Sequence, residues 1–331
     1  MSNTLYYVNV KGTGSYVPSN CVTNHDLTKI VDTSDEWIRT RTGIEERHIS
    51  VDENTSQLAY KAAVRALEFA GVSAQEVDLI ICSTVTPDAF TPSTACIVQN
   101  LLGAKKAVAF DLNAACSGFV YGIAVAKQFI QSGVYKNVLV IGAEIVSKLV
   151  SWQDRNTCVL FGDGAGAVFL EQTKEKESIL DFDLRADGSK GSLLECKALP
   201  VNPVRKIENQ DELLAKENLS MQGGEVFKFA VKVMVEGIKT IVHNQNITMD
   251  DIDIIIPHQA NYRIIESAAK ALKVSIDRFY INLNRYGNTS SASIGIALDE
   301  LNRSGKLQHG QKIILVGFGG GMTSGAVLIE W

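Results

Sequence analysis

Three side chains suited to nucleophilic catalysis follow predicted strands of this chain, and Cys116 is the first. It lies between a buried strand predicted at 107–112 and a helical pattern at 116–131 with no charge before Lys127. The N-terminus of a helix has a partial positive charge and unpaired N–H groups that stabilise a thiolate. The pattern predicts a Cys116 thiol whose pKa is lowered toward neutrality, as a nucleophile requires. The alternative is a small core residue at a tight turn.

His258 and Asn288 are the other two candidates. His258 ends a buried strand predicted at 252–256, and Asn288 lies in a polar segment, 284–292, between a predicted strand and a helix. Sites in α/β proteins form beyond the carboxyl ends of strands. If the two parts of the chain are related by a pseudo-twofold axis, these ends bring Cys116, His258 and Asn288 into one pocket. A left-handed turn residue after Gly287 is the alternative for Asn288.

A glycine run at 317–321 joins two predicted strands. A dinucleotide-binding loop would need a helix and an acidic residue after it, and neither follows. Without Cβ atoms, backbone N–H groups can approach a reacting oxygen, so we interpret the run as part of an oxyanion hole. We interpret the second glycine-rich segment, 162–166, as a structural turn.

An internal duplication predicts how the chain positions these residues. The segment 247–256 resembles 72–81, and four or five such matches recur in the same order. Strands alternating with helices predict an α/β protein with two mostly parallel sheets, and buried helices between them would make five layers. We expect one half at 1–175 and the other at 176–331, with an irregular surface excursion at about 186–220. The predicted strands are 5–13, 77–83, 107–112, 138–142, 166–170, 252–256, 279–284, 313–317 and 325–330, and the helices are 55–70, 94–102, 116–131, 225–243 and 293–301.

Composition excludes several classes of function. A net charge of -5 argues against a nucleic-acid-binding protein of the basic-surface type. The six cysteines show neither a disulfide framework nor zinc spacing, so we expect no metal and reduced thiols in the cytoplasm. No signal peptide is recognisable, and no apolar segment approaches the roughly 20 residues of a membrane span.

Six motifs stand in one order along the chain. They are DEWIRTRTGI at 35–44, AACSGF at 114–119, FGDGAGA at 161–167, PHQAN at 257–261, YGNTS at 286–290 and GFGGG at 317–321. Together they resemble the β-ketoacyl-acyl carrier protein synthase III family, the initiating condensing enzymes of bacterial fatty-acid synthesis. The resemblance extends to Trp331 and implies the thiolase fold, with duplicated halves in a five-layered αβαβα arrangement.

The resemblance also implies a mechanism. Cys116, His258 and Asn288 correspond to the catalytic triad, and the backbone N–H groups of Cys116 and Gly320 to the oxyanion hole. The thiolate would take the acyl group from an acyl-CoA, with acetyl-CoA the expected primer, and His258 and Asn288 would assist decarboxylation of malonyl-acyl carrier protein. No cofactor is needed beyond these thioester substrates.

Further residues match the family's binding positions. Trp37 and Arg155 would hold the adenine of CoA, although a packing aromatic and a surface charge are the alternatives. Ala271 replaces a common basic residue, which predicts a weaker patch for the acidic carrier protein, and Phe90 would reach across a homodimer interface. The CoA-binding positions are Thr33, Trp37, Arg41, Arg155, Gly223, Phe227, Asn261 and Ile264, and the carrier-protein positions are Lys228, Arg263 and Lys270.

Other assignments remain open at this point. A related thiolase-fold acyltransferase of secondary metabolism would share the triad. A papain-like thiol hydrolase also uses Cys, His and Asn, but Cys116 lacks the surrounding sequence of that family. A non-catalytic binding homologue is disfavoured by the intact triad.

Overall fold

The computed structural model describes residues 6–198 and 218–331. The strands are β1 Tyr7–Tyr16, β2 Cys21–Thr23, β3 Glu46–His48, β4 Leu79–Ser83, β5 Val108–Leu112, β6 Asn137–Ile145, β7 Asp163–Thr173, β8 Ile179–Ala186, β9 Leu194–Glu195, β10 Ser220–Met221, β11 Ile254–Pro257, β12 Lys312–Gly319 and β13 Thr323–Glu330. The α-helices are α1 Asn24–Leu27, α2 Asp35–Thr42, α3 Thr55–Ala70, α4 Thr94–Leu102, α5 Gly118–Gln131, α6 Gly223–Asn244, α7 Tyr262–Leu272, α8 Leu283–Tyr286 and α9 Ala292–Arg303.

Two mixed sheets form the framework. The first has the order β1-β7-β6-β4-β5, and the second has the order β8-β13-β12-β11. In the first sheet β4 runs parallel to β5 and β6, and in the second β11 runs parallel to β12. The remaining pairs are antiparallel. Within each sheet one strand, β7 or β13, runs opposite to all the others. The prediction of mostly parallel sheets therefore holds for strand direction, although four of the seven neighbouring pairs are antiparallel.

The duplication is visible in the strand order. β1, β7, β6 and β4 occupy the same order in the first sheet as β8, β13, β12 and β11 in the second. The expected counterpart of β5, at 279–284, is not a strand. A single parallel bridge joins Phe279 to Ile255, and α8 begins at Leu283. Each sheet draws its strands from one predicted half, although the division at residue 175 stays a prediction.

Alternating apolar faces of the strands produce five layers. On β12, Ile313 and Leu315 face a cluster that also contains Phe119 of α5 and Leu298 of α9, whereas Ile314 faces α6 and α7. A third cluster packs α3 and α4 on the outer face of the first sheet. Helices α5 and α9 thus form a central layer between the sheets, and the predicted αβαβα arrangement is confirmed.

Local sequence signals end the helices where the apolar patterns end. Asn54 and Gln57 form a capping box at the start of α3, and Gly71 ends it in the left-handed conformation with φ +65°. The predicted bounds of α3 and α4 are confirmed. The segment 162–166, interpreted as a turn, belongs largely to β7. There Gly166 approaches the α9 backbone so closely that an added Cβ would lie 2.4 Å from a Gly295 backbone atom.

The predicted excursion at 186–220 is partly described. Its margins are not wholly irregular, because β9 pairs with β10 in a short antiparallel ladder. Residues 199–217 of the excursion lie outside the described residues. No helix within 6–198 or 218–331 combines the length and apolar content that a bilayer crossing requires.

Candidate active site

Cys116 lies in a tight turn between β5 and α5. A 3₁₀ turn, Ala115–Ser117, precedes the helix, and Ala115 has a φ of +46°. Positive φ is strained for a residue with a Cβ, and such strain is common at functional sites. The Cys116 side chain is 8% exposed. The predicted strand-to-helix position of Cys116 is confirmed.

The predicted lowering of the Cys116 pKa is not confirmed. Burial raises the pKa of the thiol to about 12, and the charge of Glu144 acts in the same direction. Hydrogen bonds from Ser290 and from the backbone N–H of Cys116 lower this pKa but do not compensate. Burial therefore moves the pKa of the Cys116 thiol in the direction opposite to the one that the sequence pattern predicts.

His258 follows β11 and is buried, with 1% of its surface exposed. Its backbone N–H donates to the Val316 carbonyl at 2.7 Å, which ties it to the neighbouring strand. The ring meets the Phe318 ring edge-on, with centroids 5.1 Å apart. Burial lowers the pKa of His258 to about 3, so the imidazole is neutral at physiological pH.

A serine assigns the tautomer of His258. The Ser293 Oγ lies 2.7 Å from His258 Nδ1 and accepts the Gln259 backbone N–H at 3.3 Å. Among the described residues, Nδ1 is the one acceptor within reach of the Ser293 hydroxyl proton. The hydroxyl therefore donates to Nδ1, and the ring proton resides on Nε2. His258 Nε2 is thus available as a neutral hydrogen-bond donor.

Hydrogen bonds of its backbone and of its side-chain oxygen fix the position of Asn288. Its backbone N–H donates to the Leu160 carbonyl at 2.8 Å, and its backbone carbonyl accepts from Gly162 at 3.0 Å. Its side-chain Oδ1 accepts the Ser290 backbone N–H at 2.9 Å. The Nδ2 group has no partner in the described parts of the chain and remains a donor. The left-handed residues here are Gly287 and Ser290, so that alternative for Asn288 is wrong.

One turn, residues 288–293, connects the three candidates. It carries Asn288, its Ser290 lowers the pKa of the Cys116 thiol, and its Ser293 hydrogen-bonds to His258. Strand β12 supports the turn of Cys116 from the other side, because a Cβ on Gly319 would lie 2.5 Å from the Cys116 nitrogen. Gly320 follows beside Ala115, where an added Cβ would lie 3.5 Å from the Ala115 Cβ. The three candidates therefore lie at or beside one turn, whereas their convergence in one pocket and their roles stay predictions.

Sequence reasoning missed a buried carboxylate behind this turn. Glu144 is fully buried on β6 and accepts hydrogen bonds from both halves. Burial raises its pKa. A lone acidic residue inside the apolar run 138–145 was the signal that could have identified it. Its donors are Thr84 Oγ1 at 3.1 Å, Val85 N at 3.0 Å, Thr86 Oγ1 at 2.7 Å, Ser290 Oγ at 3.1 Å and Ser291 Oγ at 2.9 Å.

Two guanidinium groups contact the indole ring of Trp37. The Arg41 Cζ is 4.8 Å and the Arg155 Cζ 5.1 Å from the centroid of the indole ring. Arg155 also donates to the Asp32 carbonyl at 3.1 Å and lines an open cleft of about 430 Å³ with 30–32 and 153–156. The side chains of Trp37 and Arg155 therefore meet, and Arg41, predicted to meet phosphate, contacts the same ring.

The other predicted CoA positions lie just before α2 and on or beside helices α6 and α7. Asn261 caps α7 and donates through Nδ2 to the Arg41 carbonyl at 3.1 Å. The hydroxyl of Thr33 is buried without a partner in the described chain. Ile264 is buried on α7, Phe227 is half-buried on α6, and Gly223 is the exposed first residue of α6.

The predicted carrier-protein residues are exposed on two adjacent helices. Lys228 pairs with Glu225 at 2.8 Å, and Lys270 pairs with Glu266 at 3.2 Å. Arg263 forms no ion pair with any described residue. Helices α6 and α7 pack together, and all three cations are exposed on them. The intrahelical glutamates partly neutralise them, and Ala271 adds no charge.

One grouping of metal-binding side chains occurs among the residues that the structure describes. Cys21, Glu46 and His48 place one ligand atom each within 4.8 Å of one another on the β2–β3 ladder. The His48 Nδ1 lies 2.5 Å from the Pro18 carbonyl oxygen. None of the three belongs to the predicted catalytic or binding set.

Comparisons with known proteins agree with this geometry. The family models for the 3-oxoacyl-[acyl-carrier-protein] synthase III domain and for its C-terminal domain match residues 110–188 and 242–331. The chain is 57% identical to β-ketoacyl-[acyl-carrier-protein] synthase III of Clostridium novyi (strain NT), covering 99% of this chain and 100% of the relative. The crystal structure of the Aquifex aeolicus VF5 synthase III matches with a TM-score of 0.90 and 46% identity, covering 98% and 100% of the two chains. The priming β-ketosynthase of the R1128 polyketide pathway matches with a TM-score of 0.91 and 34% identity, covering 98% and 96%.

The five-layered fold and these matches define a condensing acyltransferase of the thiolase fold. Within that class, the chain belongs to the β-ketoacyl-acyl carrier protein synthase III family, the initiating condensing enzymes of fatty-acid biosynthesis.

Proposed function

We propose that this enzyme condenses an acyl-CoA, with acetyl-CoA as primer, with malonyl-acyl carrier protein. The products are 3-oxoacyl-acyl carrier protein, free CoA and carbon dioxide. The single observation that carries the proposal is the 288–293 turn, which carries a free amide donor, hydrogen-bonds to a neutral imidazole and lowers the pKa of a buried thiol. No cofactor takes part, and the two thioesters are substrates.

In the first half-reaction, the Cys116 sulfur attacks the carbonyl carbon of the acyl-CoA. A tetrahedral intermediate forms, and its oxyanion is stabilised by the backbone N–H groups of Cys116 and Gly320. Removing one such donor typically costs about 2.7–4 kcal/mol. The C–S bond to CoA then breaks, the acyl group remains on Cys116, and the thiol proton leaves with the CoA sulfur. The close approach of β12 to the turn of Cys116 supports this role for Gly320.

In the second half-reaction, malonyl-acyl carrier protein loses carbon dioxide. Negative charge develops on its thioester oxygen, where His258 Nε2–H and Asn288 Nδ2–H donate. Neutral donors suit this step because no proton has to be transferred before carbon dioxide leaves. The tautomer set by Ser293 and the lowered pKa of His258 support that assignment. The carbanion then attacks the acyl-Cys116 carbonyl, which regenerates the free sulfur.

The substrates bind through surfaces outside this centre. CoA stacks its adenine in the cluster of Trp37 and Arg155, with Arg41 meeting phosphate. The acidic carrier protein docks on the surface of α6 and α7 through Lys228, Arg263 and Lys270. Phe90 is 80% exposed, which supports its proposed place in a homodimer interface. We place the enzyme in the cytoplasm, where reduced thiols persist.

A role in priming a polyketide synthase is the second candidate. The match to the R1128 priming β-ketosynthase at 34% identity supports it, but the 57% identity to the fatty-acid relative favours the first role.

The test of function is a panel of acyl-CoAs incubated with malonyl-acyl carrier protein and scored by the mass of the product. Acetyl, branched and longer groups differ by pocket fit worth about 1–3 kcal/mol per methylene. Preference for acetyl or a short branched acyl group supports fatty-acid initiation. Condensation with none of them contradicts the proposal.

A further inference from the structure

Three metal-binding side chains lie on the β2–β3 ladder, outside the proposed catalytic and substrate-binding residues. Cys21 stands directly opposite His48 in this antiparallel ladder, and Glu46 lies two residues before His48 on the same strand. Residues two apart on a strand point to one face, and directly opposite residues share a face. The register of the ladder therefore directs Cys21, Glu46 and His48 to the same face.

The other face of the ladder is anchored inside the protein. Arg47 lies between Glu46 and His48 on β3, is fully buried and donates to the Val159 carbonyl at 2.8 Å. Cys21 is exposed, and Glu46 and His48 are half-buried. The buried arginine thus holds the β3 backbone in place, while the face with the three side chains is accessible to a cation from solvent.

The ring of His48 is oriented as a metal-binding imidazole requires. Its Nδ1 lies 2.5 Å from the Pro18 carbonyl oxygen, which can only accept a hydrogen bond, so Nδ1 carries a proton. In the neutral ring, Nε2 then holds the lone pair. Histidine ligands of metals commonly donate their other ring N–H to a backbone carbonyl, which fixes the tautomer and the ring orientation. This contact is independent of the positions of Cys21 and Glu46.

We propose that Cys21, Glu46 and His48 form a zinc site with a water molecule as the fourth ligand. One ligand atom of each residue lies within 4.8 Å of the other two. A tetrahedral zinc ion with bonds of about 2.0–2.3 Å keeps its ligand atoms roughly 3.3–3.8 Å apart, so rotation of the Cys21 and Glu46 side chains has to close roughly 1 Å. The expectation of no metal rested on the spacing between cysteines, and this group contains a single cysteine.

Charge and ligand type favour zinc over the hard cations. The Cys21 thiolate and the Glu46 carboxylate supply two negative charges and neutral His48 none, so Zn²⁺ makes the site neutral. The thiol proton is released to solvent when the Zn–S bond forms. Mg²⁺ and Ca²⁺ prefer oxygen ligands, which a thiolate and an imidazole do not provide. Within 6–198 and 218–331, no lysine, arginine or histidine forms an ion pair with Glu46 that a metal would have to displace.

The site adjoins the short helix that leads to Asn288. The centroid of the His48 ring lies 5.8 Å from that of Tyr286, the last residue of α8. The Glu45 backbone N–H donates to the Asn284 carbonyl of the same helix at 2.9 Å. Zinc bound here would cross-link β2 to β3 beside α8, so it should stabilise the folded protein.

The experiment is a calorimetric Zn²⁺ titration of the full chain in the Cys116→Ser background, which prevents the proposed nucleophile from contributing a thiolate. The protein is first treated with a chelator and kept reduced. We expect one zinc ion per chain. Cys21→Ser and His48→Ala should each weaken binding by at least about 100-fold, because loss of an outer contact alone typically costs 10-fold to 100-fold. Cys96→Ser is the matched control, since Cys96 is also exposed but belongs to no such group among the described residues.

Co²⁺ in place of Zn²⁺ reports the sulfur ligand directly. The Cys116→Ser protein should show a thiolate-to-cobalt charge-transfer absorption that disappears when Cys21→Ser is added. Zinc should also raise the melting temperature of the first protein and not of the second. Equal zinc affinity with and without Cys21→Ser, or no stoichiometric binding by the Cys116→Ser protein, overturns the proposal. If His48→Ala does not fold, as judged by circular dichroism, substitution of the exposed Cys21 decides alone. The titration uses no acyl substrate, so its outcome and that of the acyl-CoA panel are independent.

Discussion

Ser293 Oγ and His258 Nδ1 form a buried 2.7 Å hydrogen bond. With the hydroxyl as its donor, the imidazole proton is assigned to Nε2. The pair joins β11 of the second half to helix α9 in the central layer. A hydrogen-bond donor directed from the ring is thereby produced without any positive charge.

Ser293→Ala should reduce decarboxylation of malonyl-acyl carrier protein by roughly 10-fold to 100-fold, because the tautomer of His258 is no longer held and a buried polar group loses its partner. His258→Ala should abolish decarboxylation. Both variants should retain measurable acylation of Cys116. Release of carbon dioxide and acyl transfer are measured separately. Ser304→Ala, at the other end of α9, is the control and should match the wild type. Lost acylation with normal decarboxylation would contradict this division of roles.

The pH dependence of stability should carry the signature of a buried neutral histidine. The unfolded chain binds a proton at His258 near the ordinary pKa of 6.5, whereas the folded protein does so only near pH 3. Stability is therefore lost as pH falls from 6.5 toward 3. At 1.36 kcal/mol per pH unit, His258 should account for about 2 kcal/mol between pH 7 and pH 5.

Urea unfolding of the wild type and of His258→Asn at both pH values measures this loss. The asparagine variant does not titrate at this position, so its stability should fall by about 2 kcal/mol less over the same interval. Equal losses in the two proteins would show that His258 is not held neutral.

Gly319→Ala should displace the turn that contains Cys116. The new Cβ would lie 2.5 Å from the Cys116 nitrogen and 3.1 Å from the Cys116 Cβ, so β12 or the turn has to move. Overpacking of this kind typically costs about 1–3 kcal/mol of stability. We expect a lower melting temperature and a loss of acyl transfer to Cys116. Gly191→Ala is the control, because no atom lies within 4 Å of its added Cβ. A fully active Gly319→Ala would contradict the close approach.

Arg263 should contribute more than Lys228 to docking of the carrier protein. Lys228 already pairs with Glu225, whereas Arg263 has no ion-pair partner among the residues described. Arg263→Ala should raise KM for malonyl-acyl carrier protein by about 3-fold to 10-fold, with a smaller effect of Lys228→Ala. Acyl-CoA kinetics serve as the control and should not change. Equal KM values at low salt in all three proteins would remove Arg263 from the docking surface.

Much of the fold was predictable because strand and helix periods are local. The bounds of α3 and α4 follow directly from caps and apolar stripes. The strand predicted at 279–284 is wrong for a different reason, namely that composition alone does not determine pairing. The segment resembles a strand in composition, yet α8 begins at Leu283 and leaves one bridge at Phe279. The antiparallel positions of β7 and β13 depend on tertiary pairing, which periodicity does not encode.

The site was predictable in its residues but not in its electrostatics. Cys116, His258 and Asn288 could be located because each follows a predicted strand. The pKa of Cys116 could not, because desolvation and the proximity of the Glu144 charge arise only from tertiary packing. Ser290 and Ser293 carried no distinguishing signal, since their importance lies in which side chains they face.

Acylation of Cys116 is the most direct test of the account. The wild-type protein and Cys116→Ser are incubated with acetyl-CoA, and their intact masses are measured before and after digestion to locate the modified peptide. The account predicts that the wild type gains the mass of one acetyl group on the peptide containing Cys116 and releases CoA, while Cys116→Ser gains none. Acetylation of Cys116→Ser at the same level, or of the wild type at another cysteine alone, would contradict it.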